Sequence, residues 1–181
     1  MATSSATESG VWETLAAEAA AESPLWADSL RPVDERETVR VFSSLCDESF
    51  ALGVETIYEG YLLHYGRPRL FAPVDADTAL LLGDYLYAHG LVRIAATGSV
   101  EAVHDLAELI SLCAQARAEG RPGEADAWAA TAALLGRGAL AEARQELREH
   151  GDASGLAGLA RAAVGPEAVE RASGAHDLRV G

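Results

Sequence analysis

Residues 75–98 read Asp-Ala-Asp-Thr-Ala-Leu-Leu-Leu-Gly-Asp-Tyr-Leu-Tyr-Ala-His-Gly-Leu-Val-Arg-Ile-Ala-Ala-Thr-Gly, and this stretch decides the fold class. Its apolar residues Ala79, Leu80, Leu81, Leu82, Tyr85, Leu86, Leu91 and Ile94 recur at the three- and four-residue spacings of a helix face. An aspartate at 75 or 77 marks the start, and Gly98 supplies a left-handed stop. Ser99 then caps a further helix whose buried face carries Val100, Val103, Leu106, Leu109, Ile110 and Cys113, ending near Gly120-Arg-Pro-Gly123.

Working outward, the same period continues and no alternating run argues for a strand, so the chain is expected to be all-α, an antiparallel helical bundle. A first helix is predicted from a Ser9 cap to Ala21, followed by a docking turn at Leu25 and Trp26. The longest helix is expected from Asp34 to Tyr65, bent at Gly53. Gly66-Arg-Pro-Arg-Leu-Phe-Ala-Pro73 is a loop, because two prolines prevent a helix there. Shorter helices are predicted at 124–136, 139–149, 153–164 and 167–173. This gives a flexible N-terminus over 1–8, one helical domain over 9–173, and a frayed tail over 174–181.

The 181 residues are 49% hydrophobic, enough for a sizeable core. Fourteen basic against 28 acidic residues leave a net charge of −14, which repels phosphate backbones and argues against nucleic-acid binding. The N-terminal Met1-Ala-Thr-Ser-Ser-Ala-Thr carries no basic and apolar signal, and no run is long enough to span a bilayer; a cytoplasmic protein without a membrane span is expected. Cys46 and Cys113 read as buried thiols, and His89, His104, His150 and His176 are too dispersed for a metal motif. Trp12, Trp26 and Trp128 read as core or docking anchors.

Glu55-Thr-Ile-Tyr-Glu59, Gly66-Arg-Pro and Thr78-Ala-Leu-Leu-Leu-Gly83-Asp84-Tyr-Leu-Tyr-Ala88 carry the sharper signal. Together they resemble the polyprenyl diphosphate synthases, in which an Asp-Asp-x-x-Asp motif, a Gly-Lys-Pro loop and an Ala-x-Leu-x-Gly-Asp-x-Leu helix follow in this order. The match is best over 55–115, and Ala130-Thr-Ala-Ala-Leu-Leu135 is similar to a later segment of the family. The resemblance implies a truncated isoprenoid synthase fold. It also implies Mg2+ held by Glu55 and Glu59, which lie one helical turn apart; a solvated acidic edge extended by Glu48 is the alternative for this pair. Arg67 and Arg69 would contact diphosphate, unless they simply line a solvent-facing loop. Leu30-Arg31-Pro32 is similar to the end of the family's Gly-Lys-x-x-Arg-Pro site, with Asp28 at the lysine position.

The departures from the family point away from catalysis. The middle carboxylate of the first motif is Thr56, the two following arginines are His64 and Tyr65, and no Asp-Asp pair occurs anywhere to form the second motif. Asp84 is either a functional carboxylate or a group that satisfies donors within the bundle. The helices nearest the family pattern, 79–96 and 100–115, are the ones that form the subunit interface there. This implies pairing through Leu82, Leu86, Val103 and Ile110. The resulting expectation is a catalytically degenerate polyprenyl-synthase-like protein, an accessory or dimerising subunit in isoprenoid biosynthesis. It would form a homodimer or join a prenyl diphosphate synthase catalytic subunit. The alternatives are an active short Mg-dependent prenyltransferase and an unrelated helical interaction scaffold.

Overall fold

A computed structural model describes residues 3–180 of the chain, with side chains from Gly10 onward. Its helices are α1 (Thr3–Glu22), α2 (Pro24–Asp28), α3 (Glu48–Tyr65), α4 (Ala76–Ala96), α5 (Val100–Glu119), α6 (Glu124–Ala133), α7 (Ala141–His150), α8 (Ser154–Val164) and α9 (Pro166–Val180), with 3-10 turns at Val33–Glu35 and Ser43–Leu45. The described residues contain no strand; a single antiparallel bridge joins Leu30 to Phe71. The chain is all-α, as its periodicity predicts. None of its described helices is long and apolar enough to cross a membrane.

Capping explains most boundaries. The Asp75 carboxylate accepts the Thr78 N–H at 2.7 Å, the Ser99 hydroxyl accepts that of Ala102 at 3.2 Å, and Gly98 takes a φ of 84° just past the end of α4. Three expectations change. First, the helix predicted from Asp34 begins at Glu48, because the Asp47 carboxylate caps it through the Ser49 N–H (2.9 Å). The residues before it are drawn out alongside the 69–72 loop by the bonds from Arg31 N–H to the Leu70 carbonyl and from Glu37 N–H to that of Arg69. Second, α1 begins at Thr3 and not at Ser9, so residues 3–8 of the segment expected to be flexible are helical; Met1 and Ala2 lie outside the described residues. Third, the tail from Gly174 continues α9 to Val180, with His176 and Arg179 buried against the core; Gly181 lies outside the described residues.

Gly53 marks a point of contact. It faces Gly90 across the α3–α4 crossing, and seven residues on Gly60 faces Gly83, which sets the two helices antiparallel. A methyl group built on Gly60 would lie 2.9 Å from the Gly83 carbonyl oxygen, and one on Gly90 would lie 2.4 Å from Ile57. Backbone-to-backbone approach of this kind leaves no room for a side chain.

Apolar burial follows in two clusters. Phe42, Tyr58, Tyr61, Leu106, Leu109 and Trp128 centre the larger one, between α3, α5 and α6, with α8 and α9 packed over it. The smaller one joins Val11, Trp12 and Leu15 of α1 to Leu70, Phe71, Leu82 and Leu86. Trp26, the predicted docking anchor, stacks on Tyr85 at 5.8 Å.

Substitution of Gly60 by alanine should therefore lower the unfolding free energy by about 1–2 kcal/mol, overpacking outweighing the gain in helix propensity. The exposed Gly158, whose added methyl would meet nothing within 4 Å, should instead raise it by about 0.5–1 kcal/mol on the same change. Urea unfolding of the two variants checks the contrast.

Candidate functional site

Glu55 and Glu59 share one face of α3, and that face points into the protein: both side chains are fully buried. The loop after α3 turns back at Gly66 and Pro68 and drives Arg69 between them, also without exposure. Arg69 Nη1 donates to Glu55 Oε2 at 2.6 Å and Nε to Glu59 Oε2 at 2.9 Å. The other Glu59 oxygen accepts the backbone N–H groups of Arg69 and Leu70, each at 2.7 Å. The other Glu55 oxygen accepts the Ser43 hydroxyl at 2.5 Å. Nη1 also donates to the Val39 carbonyl at 2.9 Å and Nη2 to that of Glu55 at 3.4 Å.

All four carboxylate oxygens are thus matched to donors of the chain. The faces of the guanidinium are covered as well, by the Trp12 ring at 4.6 Å and the Tyr58 ring at 4.9 Å. Burial works against the charge on Arg69, but the two carboxylates and their hydrogen bonds outweigh it and hold its proton more tightly than usual.

The pair is not a solvated acidic edge: both side chains are buried, and both bind the Arg69 guanidinium that lies between them. No group of three or more His, Cys, Asp or Glu among the described residues is placed to hold a metal ion. Arg69 is not free to meet a diphosphate. Arg67 lies outside the centre, on the surface, paired with Glu37 at 2.6 Å.

Asp84 is exposed, with its carboxylate 3.3 Å from His64 Nε2. Burial lowers the proton affinity of His64 more than Asp84 restores it, so the ring is neutral at pH 7. It lies against Tyr87, with ring centroids 5.0 Å apart. Burial pushes the Cys46 thiol up to about 12, and that of Cys113 up also, so neither is a thiolate nucleophile.

The predicted interface residues divide. Leu82 and Leu86 point inward and are covered by α1, so they cannot meet a partner in this state; Val103 and Ile110 are half-buried against the main cluster. Val100, expected on the buried face of α5, is instead 82% exposed, and Leu80, Leu81 and Val92 of α4 are also more than half exposed. Ser43 and Trp12, which sequence reasoning missed, carried no signal, since their tie to Arg69 and Glu55 is formed only by the fold.

A second buried pair pins α7 to the bundle. Arg144 donates to Asp105 at 2.9 Å and to Thr131 at 3.2 Å, while Asp105 also accepts the Gly136 N–H at 2.8 Å. Above it lies a cleft of about 400 Å³ edged by Glu101, His104, Glu108, Arg148 and Glu149. Comparison with protein-family models, with curated proteins and with solved structures returns no match to this chain.

Replacing Arg69 by methionine should cost about 3–5 kcal/mol of stability, because two carboxylates are then left buried without a counter-charge. Adding Glu59→Gln to Arg69→Met should cost less than the sum of the single changes, by about 1–3 kcal/mol. A double-mutant cycle in urea measures the coupling; strict additivity would show that the centre does not act as a unit.

Proposed function

We propose that the chain is a catalytically degenerate polyprenyl-diphosphate-synthase-like protein, acting as an accessory or dimerising subunit in isoprenoid biosynthesis. One observation carries the reading: Arg69 sits between the two carboxylates that match the ends of the first Asp-rich motif. A guanidinium supplies charge and hydrogen bonds in a fixed plane, but it offers no exchangeable coordination site through which a diphosphate leaving group is stabilised. The same residues that would run ionisation chemistry in a synthase here hold the fold together. Phe42, Tyr58, Tyr61 and Trp128 pack beside α3 as part of the closed aromatic core.

The pairing half of the proposal rests on the outer side of α4 and α5. Leu80, Leu81, Ala88, Val92 and Ala95 on α4 and Val100, Ala107 and Ala114 on α5 are all exposed. Apolar faces of this kind mark interaction surfaces. The partner is a second copy or a chain carrying intact Asp-Asp-x-x-Asp motifs.

Calorimetry is expected to show no Mg2+-dependent binding of inorganic diphosphate; clear binding would favour the active short prenyltransferase instead. Light scattering and affinity capture from the source organism should return a dimer, or a complex with a chain bearing those motifs. Leu81→Glu with Val92→Glu should abolish that association while leaving the melting temperature within a few degrees of the parent. A monomer that captures no such chain would overturn the pairing.

A further inference from the structure

The last helix is held to the core by a side chain that can change its charge. His176 projects from α9 into the aromatic cluster, 2% exposed, and its Nδ1 shares a hydrogen bond of 3.0 Å with the Tyr58 hydroxyl. Its ring centroid lies 5.4 Å from that of Phe42, 5.6 Å from Tyr61 and 5.9 Å from Tyr58. Trp128 of α6 closes the cluster, stacked on Phe42 at 5.4 Å.

The titratable and charged groups around this imidazole do not favour a cation. From α3 come the neutral phenols Tyr58 and Tyr61, both held protonated by burial. From α5 comes Arg117, bonded to the Tyr61 hydroxyl at 2.9 Å and paired with Glu124 of α6 at 2.6 Å. From α9 itself comes Arg179, bonded to Glu37 at 2.9 Å. Beyond Tyr58 stands Arg69 with its two glutamates. Burial, and after it the positive charges of Arg117 and Arg179, push His176 down to about 4.

Val169 and Ala172 are buried toward the start of the helix; beyond Gly174 it is fastened by His176, by Ala175 and Val180 packed against the core, by the Arg179–Glu37 pair, and by the Arg67 N–H donated to the Arg179 carbonyl at 2.9 Å. Gly174 is exposed and packs nothing, and a helix interior is weakest at a glycine. We propose that α9 is an acid-released latch: protonation of His176 expels its ring from the aromatic cluster and undocks the helix from Gly174 onward, while α3, α4 and α5 stay folded.

The sign follows from linkage. Above pH 6.5 the histidine is neutral whether docked or undocked and the latch stays closed. Below it the undocked ring takes up a proton that the docked ring refuses, so opening becomes more favourable down to about pH 4. Release uncovers Phe42 and Tyr58, and because Tyr58 lies over Arg69 at 4.9 Å, it bares the outer side of one wall of the buried ionic centre.

Hydrogen exchange of backbone amides, corrected for intrinsic rates and followed by peptide from pH 7.5 to 4.5, tests this on the full chain. Amides 174–180 should lose protection about 40-fold between pH 6.5 and 4.5, with α4 and α5 unchanged over that range. His176→Phe, which fills the site without titrating, should flatten the response, and the wild-type imidazole followed by NMR should titrate well below 6.5. Full protection of α9 at pH 4.5, loss of α4 and α5 together with α9, an imidazole titrating near 6.5, or an unchanged response in His176→Phe would each overturn the latch.

Discussion

Arg69 stands in a medium where a lone charge is untenable, and the surrounding structure is arranged so that it is not alone. Its guanidinium and backbone N–H draw in Glu55 and Glu59 of α3 and the Val39 carbonyl of the extended segment. Ser43 reaches the same centre through Glu55, and Trp12 brings in the N-terminal helix. Pieces of chain distant in sequence therefore meet at one charge, and removing it leaves carboxylates that only those pieces were positioned to satisfy. A buried ionic centre of this type adds little net stability over a well-packed apolar one, but it tolerates few alternative arrangements of its neighbours.

The glycine pairs at the α3–α4 crossing are the second constraint, and they act together with the first. With Gly53 against Gly90 and Gly60 against Gly83, the two helices lie too close for α4 to slide along α3. That closeness sets the inner side of α4, with Leu82 and Leu86, under α1, and turns Leu81, Ala88 and Val92 outward. Which leucines are available to a partner is thus decided by a backbone contact between other residues of the same helices.

Much of the fold was legible locally. The helices from α4 to α8 begin and end close to their predicted bounds; for α4 and α5 the caps at Asp75 and Ser99 and the glycines at 98 and 120 explain this, because a cap acts within one turn of the residue that supplies it. The misreadings at α3 and at the tail share one cause. Residues 36–42 have helix-compatible spacing, yet the Glu37 N–H bonds to the Arg69 carbonyl and the Val39 carbonyl to the Arg69 side chain, and α9 persists past Gly174 where His176 and Arg179 dock. Periodicity reports which face of a segment is apolar; it carries no information about competing partners elsewhere in the chain.

For the candidate site the division is sharper. Two glutamates one turn apart, on a helix otherwise carrying Val54, Ile57, Tyr58 and Leu62, were visible in the sequence, where they read as a magnesium pair or as a solvated acidic edge. The sequence by itself determined the helical class, most helix ends, the acidic balance of charge and the presence of that carboxylate pair, since each depends on residues within a turn of one another or on composition. Only the tertiary structure decided that Arg69, and not solvent, answers the two carboxylates, that Leu82 and Leu86 face inward, and that a histidine from the last helix closes the aromatic core. Those outcomes depend on contacts between residues far apart along the chain, where electrostatic and packing energies are set by distance and burial and not by spacing.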